Sequence, residues 1–253
     1  MINLLSSSTF SYPKESGRQN EDTILPPQCV GEGFLIAVAD GVGSYTGASQ
    51  ASQAAIDVLS AITPSDWDSG ISTKEILTQI KHRVVELSAT NNSFTDAATT
   101  LTFCYIGPYG VRIGHVGDCR AYIRKGGALL QLTTDHTQHQ RLIDEGLYKA
   151  SELKRLGGKN TLFSAISKKV ELHFQDRYLP YDEIESEDGC FEILIMSDGA
   201  YHAWDLRPRF ALGTLLDPNR FASSLHRRII RFNPVDDYSL IATKFHIDRS
   251  RLT

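Results

Sequence analysis

The 253-residue sequence predicts an α+β fold in which antiparallel strands and helices form separate layers. Apolar residues recur at three- and four-residue steps over 48–62 and 76–87, which is typical of helices covered on one face. From Thr99 onward they alternate with polar residues at every second position, as in strands. The predicted strands follow one another as hairpins, so they pair antiparallel, and a doubly wound parallel sheet is disfavoured.

Two helices are expected in the first third of the chain. The first ends before Pro64 and carries an apolar stripe formed by Ala48, Ala51, Ala55, Leu59 and Ile62. The second begins at a capping box, in which the side chains of Ser72 and Glu75 satisfy free backbone N–H groups. Its buried face is predicted to contain Ile76, Ile80, Val84 and Leu87.

Two hairpins are predicted next, one turning at Gly107-Pro108-Tyr109-Gly110 and one at Lys125-Gly126-Gly127. Residues 136–165 are expected to be helical and polar. The segment 171–195 is predicted to return to extended structure, broken at Pro180 and by an acidic loop before its last strand. Because no Pro/Gly/Ser-rich linker divides the chain, residues 1–253 are expected to form one domain.

Composition and charge disfavour nucleic-acid and membrane partners. The formal charge of −4 and the absence of a basic run disfavour nucleic acid as a partner. No apolar stretch approaches the ~20 residues of a membrane helix, and Met1 to Ser6 lack a basic start, so we expect no membrane partner and no signal peptide. The widely spaced cysteines predict reduced thiols, cytoplasmic localisation and small core side chains; they are Cys29, Cys104, Cys119 and Cys190.

Acidic motifs lie beside apolar runs at four places, Asn20-Glu21-Asp22, Asp40-Gly41, Asp198-Gly199 and Asp236-Asp237. Carboxylates at the ends of buried strands are costly to keep ionised without a partner, and no Lys or Arg lies inside these motifs. A bound divalent cation would meet that need, and all-oxygen ligands favour Mg²⁺ or Mn²⁺ over zinc or copper. Each motif alone is a weak signal, since Asp-Gly after a strand is most often a turn.

The set and its order give a stronger signal: the chain resembles the metal-dependent protein serine/threonine phosphatases of type 2C, in their bacterial form. The resemblance covers nearly the whole chain. Besides Asn20-Glu21-Asp22, the matching segments are Val38-Ala39-Asp40-Gly41-Val42-Gly43, Ala98-Thr99-Thr100-Leu101, Val116-Gly117-Asp118-Cys119-Arg120-Ala121-Tyr122, Leu132-Thr133-Thr134-Asp135-His136-Thr137, Met196-Ser197-Asp198-Gly199 and Asp236-Asp237-Tyr238-Ser239. Residues 140–146 and 159–166 also fit the family's segment after its Asp-His motif.

This resemblance implies two antiparallel sheets packed face to face (a β-sandwich) flanked by α-helices, with the metal site at one end of the sandwich. It implies that Asp40 bridges two Mn²⁺ or Mg²⁺ ions while Gly41 offers its carbonyl oxygen. Asp198 and Asp236 would complete the first ion's site. A water shared by the two ions would then attack the phosphoester.

Further residues take expected places by the same resemblance. Glu21 and Asp22 would serve the other ion directly or through water, and Asp118 with Asp198 would help to bind a third, weaker ion. Of the pair Asp236-Asp237, the first is expected to be the ligand and the second a supporting hydrogen-bond group.

Four positions depart from the family pattern. Gly17 stands where the phosphate-binding Arg is usual, so Arg18 is the candidate for that role, with a solvated surface charge as the alternative and Lys14 a weaker candidate. Val42 stands where many eukaryotic members have a proton-donating His. His136 is then a candidate acid, or it pairs with Asp135 and braces the loop. Cys119 and His115 stand where the family has Ser and Asn, and we find no physical reason for these changes.

The resemblance implies a metal-dependent phosphatase that hydrolyses phosphoserine and phosphothreonine in proteins opposite a Ser/Thr kinase, with residues 136–166 as a flap beside the site. The alternative is a catalytically weak relative that binds a phosphoprotein or signalling partner. The complete carboxylate set argues against that alternative, because a binding module has no need of costly clustered acids. A Ca²⁺-binding structural module is disfavoured further, since its ligands would lie within one loop.

Overall fold

A computed structural model describes residues 1–43, 45–153, 157–158, 161–186 and 188–248. Their strands are β1 (Ile2–Tyr12), β2 (Asp22–Val30), β3 (Gly33–Asp40), β4 (Ala98–Thr99), β5 (Leu101–Gly107), β6 (Gly110–Val116), β7 (Arg120–Lys125), β8 (Ala128–Gln131), β9 (Ile166–Ser167), β10 (Gln175–Pro180), β11 (Cys190–Met196) and β12 (Tyr238–Ile247). Their helices are α1 (Ala48–Ala61), α2 (Pro64–Asp68), α3 (Thr73–Thr90), α4 (Gln138–Asp144), α5 (Ala150–Leu153), α6 (Asp198–Asp205), α7 (Leu212–Leu215) and α8 (Pro218–Phe232).

The strands form two five-stranded antiparallel sheets. The first has the order β1-β12-β11-β7-β8 and the second the order β10-β6-β5-β3-β2, while β4 and β9 form a small separate pair. In the first sheet, β12 lies between β1 and β11, so the two ends of the described chain are neighbours.

Three layers of buried apolar side chains hold the fold together. Ile36, Val38 and Cys104 of the second sheet pack against Ile193 and Ile241 of the first, which places the two sheets face to face. Helices α1 and α3 cover the outer face of the second sheet. Helices α6 and α8 cover the outer face of the first. The predicted sandwich with outer helices is confirmed.

The locally encoded elements agree with the sequence predictions. Helix α1 spans the predicted stripe, and the capping box of α3 is present, with the Glu75 N–H donating to Ser72 Oγ at 3.2 Å and the Ser72 N–H donating to Glu75 Oε2 at 2.9 Å. Both predicted hairpins form, as β5–β6 and β7–β8. Residues 136–165 are less helical than predicted, because among their described residues only the short α4 and α5 are helices.

One cysteine prediction is wrong. Cys104, Cys119 and Cys190 are buried, but Cys29 is exposed, because it lies on an outward-facing position of the edge strand β2. Within the described ranges, no helix is both long and apolar enough to cross a membrane.

Candidate active site

A small acidic pocket lies at one end of the sandwich. Its volume is about 140 Å³, and the described residues that line it include six carboxylate side chains and no Lys or Arg. The lining residues are Glu21, Asp40, Gly41, Val42, Gly43, Thr100, Asp118, Leu162, Asp198, Asp236 and Asp237. The pocket therefore brings together residues from widely separated parts of the chain.

Asp40 ends β3 and lies opposite Asp22, the first residue of β2, in the strand register. Thr100 Oγ1 accepts the Asp40 backbone N–H at 3.1 Å, and the Asp40 carbonyl accepts the Thr100 N–H at 2.8 Å, which fixes the end of the strand. Burial, followed by repulsion from Asp22 and Asp198, raises the pKa of the Asp40 carboxyl well above its usual range. Asp40 therefore lies where negative charge is crowded and poorly solvated.

Asp22 is buried immediately behind this position. Ser197 Oγ donates a 2.8 Å hydrogen bond to Asp22 Oδ2, whereas Asp22 Oδ1 is buried with no hydrogen-bond partner within the described part of the chain. Burial raises the pKa of Asp22 to about 7. An orphaned carboxylate oxygen of this kind is costly unless a cation or a water meets it.

The turn after Asp40 requires glycine. The Gly41 N–H donates to the Glu21 carbonyl at 3.0 Å, and a Cβ added at Gly41 would lie 2.5 Å from the Ala48 carbonyl oxygen. Because such a contact is sterically forbidden, only glycine lets the backbone run this close to the start of α1. The Gly41 backbone is thus held against the Glu21 segment at the pocket wall.

Asp198 is the first residue of α6, where the helix dipole favours a carboxylate. The next residue, Gly199, has no room for a Cβ because the Asp237 carbonyl oxygen lies against it. Asp118 follows Gly117, whose φ of +102° lets the β6–β7 connection turn into the pocket. Burial and the charge of Asp198 raise the pKa of Asp118.

Asp236 and Asp237 have different surroundings. Asp237 is buried, and its two carboxylate oxygens accept the backbone N–H groups of Lys14 at 2.8 Å and of Glu21 at 2.7 Å. Asp236 is exposed, and its Oδ1 accepts the Asp237 N–H at 2.9 Å. Asp237 therefore ties the segment before β2 to the start of β12, while Asp236 is more open to solvent.

The donor set fits a hard divalent cation, because the described lining residues offer carboxylate oxygens and no basic side chain. Asp22, which lies outside the lining, adds an orphaned buried oxygen. Across the residues that the structure describes, however, no three or more His, Cys, Asp or Glu side chains are grouped closely enough to form a complete metal site. The carboxylates of the pocket are thus candidate ligands, and bound ions would offset their mutual repulsion.

His136 has a bracing position. Its Nδ1 accepts the Gly117 N–H at 3.1 Å, and its backbone N–H donates to the Gly117 carbonyl at 2.7 Å. Its ring packs on the rings of His115 and Phe163. Of the two alternatives for His136, these contacts agree with a brace, but its partner is Gly117. Among the described residues it makes no hydrogen bond to Asp135, whose two oxygens accept from Arg120. Burial lowers the pKa of His136 to about 4, and the side chain is absent from the pocket lining.

Arg18 lies at the pocket entrance. Its Nη2 donates to Glu21 Oε2 at 2.9 Å, and a Cβ added at Gly43 would lie 3.7 Å from the same nitrogen. Sequence reasoning gave no individual role to Ser197, Thr100 or Leu162, although all three lie inside segments that it used. Lys154, Arg155, Lys159 and Asn160 of the predicted flap lie outside the described residues.

Comparison with known proteins identifies the class. Residues 14–242 match the family model described as "Protein phosphatase 2C". A serine/threonine phosphatase stp of Listeria welshimeri is 24% identical over 172 residues, which are 65% of this chain and 66% of the relative. The aligned region thus spans just under two thirds of that relative's length.

Solved structures agree in fold. The Mycobacterium tuberculosis serine/threonine phosphatase PstP/Ppp superposes with a TM-score of 0.74 at 21% identity, covering 97% of this chain and 100% of that one. A PstP catalytic domain in complex with two manganese ions gives a TM-score of 0.72 at 21% identity, covering 98% and 100%. The chain belongs to the protein phosphatase 2C family, and the resemblance found in the sequence is confirmed.

Proposed function

We propose that this chain is a metal-dependent protein phosphatase that hydrolyses phosphoserine and phosphothreonine. The observation that carries the proposal is the pocket at the end of the sandwich, where six carboxylates meet and the described lining residues include no basic side chain. A site that only held a phosphoprotein would repel the phosphate with such a lining. Two divalent ions bound here would supply the positive charge and activated water that a phosphate monoester requires.

The proposed roles follow from position. Asp40, Gly41, Asp198 and Asp236 would hold the ions, with Asp118 serving a third. Asp22 would meet an ion through its orphaned oxygen or through water. Asp237 would position Glu21 through the N–H group that it accepts.

Arg18 is proposed to hold the phosphate. Its side chain is 39% exposed and close to the pocket mouth, so its guanidinium can exchange the contact with Glu21 for a phosphate oxygen. His136 is left out of proton transfer in this proposal, because its Nδ1 accepts the Gly117 N–H and its Nε2 lies 3.4 Å from Gln175 Nε2.

The wider setting is also proposed. The partners would be phosphorylated proteins and an opposing Ser/Thr kinase, in the cytoplasm, with the chain acting as one phosphatase domain. The second candidate function is a catalytically weak module that binds a phosphoprotein. The observation behind it is that position 17 holds Gly and that the nearby Arg18 is paired with Glu21.

Metal-dependent turnover of a small chromogenic phosphate ester tests the proposal. We expect hydrolysis with added Mn²⁺ or Mg²⁺ and its loss with EDTA, restored by excess metal. Asp40→Asn serves as the matched inactive variant, because it keeps the side-chain shape and removes one charge. Full activity after exhaustive chelation would overturn the metal-dependent mechanism, and absent activity with every metal would favour the binding module.

A further inference from the structure

A cluster of arginines lies just beyond the C-terminal end of α6, whereas Asp198 is at the N-terminal end of this helix. Arg207, Arg209 and Arg228 line a cavity of about 450 Å³ together with Phe210 and Ala211. We call these three arginines the arginine patch. Residues 205–231 contain six arginines and two aspartates, so their formal charge is +4 in a chain whose total is −4.

Among the described residues, the patch has no acidic partner. Arg18, Arg120 and Arg124 each form ion pairs with carboxylates, whereas in the described part of the chain no carboxylate lies within 4 Å of a patch guanidinium. The nearest acidic residue in sequence, Asp205, is taken by Arg120 at 2.9 Å. Burial and the charge of Arg207 lower the pKa of Arg228, as expected where cations are crowded together.

The patch is also preorganised. Arg228 Nη1 donates to the Arg207 carbonyl at 2.6 Å, and its Nη2 donates to the Arg209 carbonyl at 3.1 Å. The same guanidinium lies 4.1 Å above the Phe210 ring. These contacts fix the loop between α6 and α7, so the exposed side chains of Arg207 and Arg209 start from an immobilised backbone. A fixed backbone reduces the entropy lost when an anion binds.

The patch lies within reach of the active site. Helix α6 begins at Asp198 in the pocket and ends two residues before Arg207, and eight helical residues span roughly 12 Å. Arg120, two residues after Asp118 of the pocket, reaches α6 through Asp205. An extended peptide covers the same distance in about four residues.

We propose that the arginine patch binds acidic side chains of the phosphoprotein substrate, about four to six residues from the phosphorylated residue. This inference rests on the proposed phosphatase function. An enzyme with an acidic pocket and a net negative charge repels acidic substrates, so a local cationic surface is needed to attract and orient them. A concave cavity accommodates carboxylate side chains better than it does a broad lipid surface.

The test compares two phosphoserine peptides that differ only in having three Glu or three Gln at positions +4 to +6. With Mn²⁺, the native chain should show about fivefold higher kcat/KM on the Glu peptide at low salt, and the preference should fade as salt screens the charges. Arg207→Glu with Arg209→Glu should abolish it while leaving the chromogenic ester unchanged. Lys74→Glu with Lys125→Glu is the control, because it makes the same charge change at two exposed lysines elsewhere.

Each alternative outcome is distinguishable. An unchanged Glu preference in the arginine variant, or an equal loss in the lysine control, would overturn the patch as the binding site. Binding of the native chain to anionic phosphatidylserine vesicles or to single-stranded DNA, with no preference between the peptides, would also overturn it. If the chromogenic ester is not hydrolysed at all, the proposed phosphatase function fails instead, and fluorescence anisotropy of the labelled Glu and Gln peptides then decides on the patch alone.

Discussion

At the scale of single residues, Asp236 and Asp237 show how neighbours of the same chemistry acquire different roles. Asp237 is buried and satisfies two backbone N–H groups from the segment before β2, whereas Asp236 is exposed at the pocket. A ligand must be accessible to an ion, while a brace must be satisfied by the protein. We therefore expect Asp236 to affect metal-dependent turnover and Asp237 to affect the stability of the fold.

We predict that Asp236→Asn lowers kcat on the chromogenic ester by about tenfold or more with little change in Tm. Asp237→Asn should instead lower Tm by about 5 °C, because the amide group can accept only one of the two N–H groups and hydrogen bonds to charged groups contribute about 2 kcal/mol. Saturation kinetics in Mn²⁺ and thermal melts measure the two effects. The reverse pattern would show that Asp237 is the ligand.

His136 carries a prediction about pH. Its folded-state pKa of about 4 lies below the ordinary value of 6.5, so between these values the unfolded chain binds a proton that the folded chain does not. The stability that its neutral ring contributes is present above about pH 6.5 and is lost as pH falls toward 4. His136→Asn, which keeps an acceptor for the Gly117 N–H but does not titrate, should not show that loss.

Urea denaturation of both proteins at pH 7.0, 5.5 and 4.5 measures the effect. The free energy of unfolding of the native chain should fall relative to His136→Asn by up to about 2 kcal/mol across this range. Taking the difference between the two proteins removes the opposite contributions of the buried carboxylates. A constant difference would mean that His136 does not stay neutral in the fold.

At the scale of elements, the sequence predicted those features that depend on contacts between residues close together in the chain. The capping box of α3 and both hairpin turns involve groups within a few residues of each other, so local chemistry was sufficient. Helix α8 was not predicted, although Phe221, Leu225 and Ile229 have helical spacing and Asp217 caps it. The sequence did not predict the arginine patch, because the patch forms only when α8 packs beside the loop after α6.

The segment between Thr137 and Leu162 carries a prediction at this scale. Helix α4 has no buried residue and Leu153 is the one buried residue of α5, whereas Leu162, bridged to Thr137, lines the pocket. Helices with so little burial separate from the rest of the fold at low cost in free energy. The segment is therefore suited to contact the substrate peptide rather than the phosphate.

We predict that Lys149→Ala changes kcat/KM on phosphopeptides several-fold and leaves the chromogenic ester unaffected. Leu162→Ala should impair both substrates, since it alters the pocket itself. Lys168→Ala, an exposed lysine outside the segment, is the control. Assaying both substrates on all three variants separates the effects, and equal effects of Lys149→Ala on peptide and ester would contradict a flap that contacts the peptide.

At the scale of the whole molecule, the pocket depends on non-local strand order. Its carboxylates span residues 21 to 237 and meet because β12 pairs with β1 while β2 pairs with β3. The sequence predicted these candidate residues through the resemblance, but hydrophobic periodicity carries no information about which strands become neighbours. The candidate site could therefore be anticipated residue by residue, while its assembly needed the structure.

This assembly makes bound metal a stabiliser of the entire fold. An ion that binds only the folded chain stabilises it by about 2.7 kcal/mol at 100 times its dissociation constant, because the unfolded chain scatters its ligands. For a chain of this size we predict that saturating Mn²⁺ raises Tm by roughly 5–10 °C, in proportion to the logarithm of its concentration. Asp40→Asn should largely remove the shift, whereas the Lys74→Glu, Lys125→Glu control should keep it. Scanning calorimetry across a series of Mn²⁺ concentrations measures the shift in Tm directly. If Tm did not depend on Mn²⁺ in a chain that still hydrolyses the ester, the ligands would not depend on the sheet pairing that brings them together.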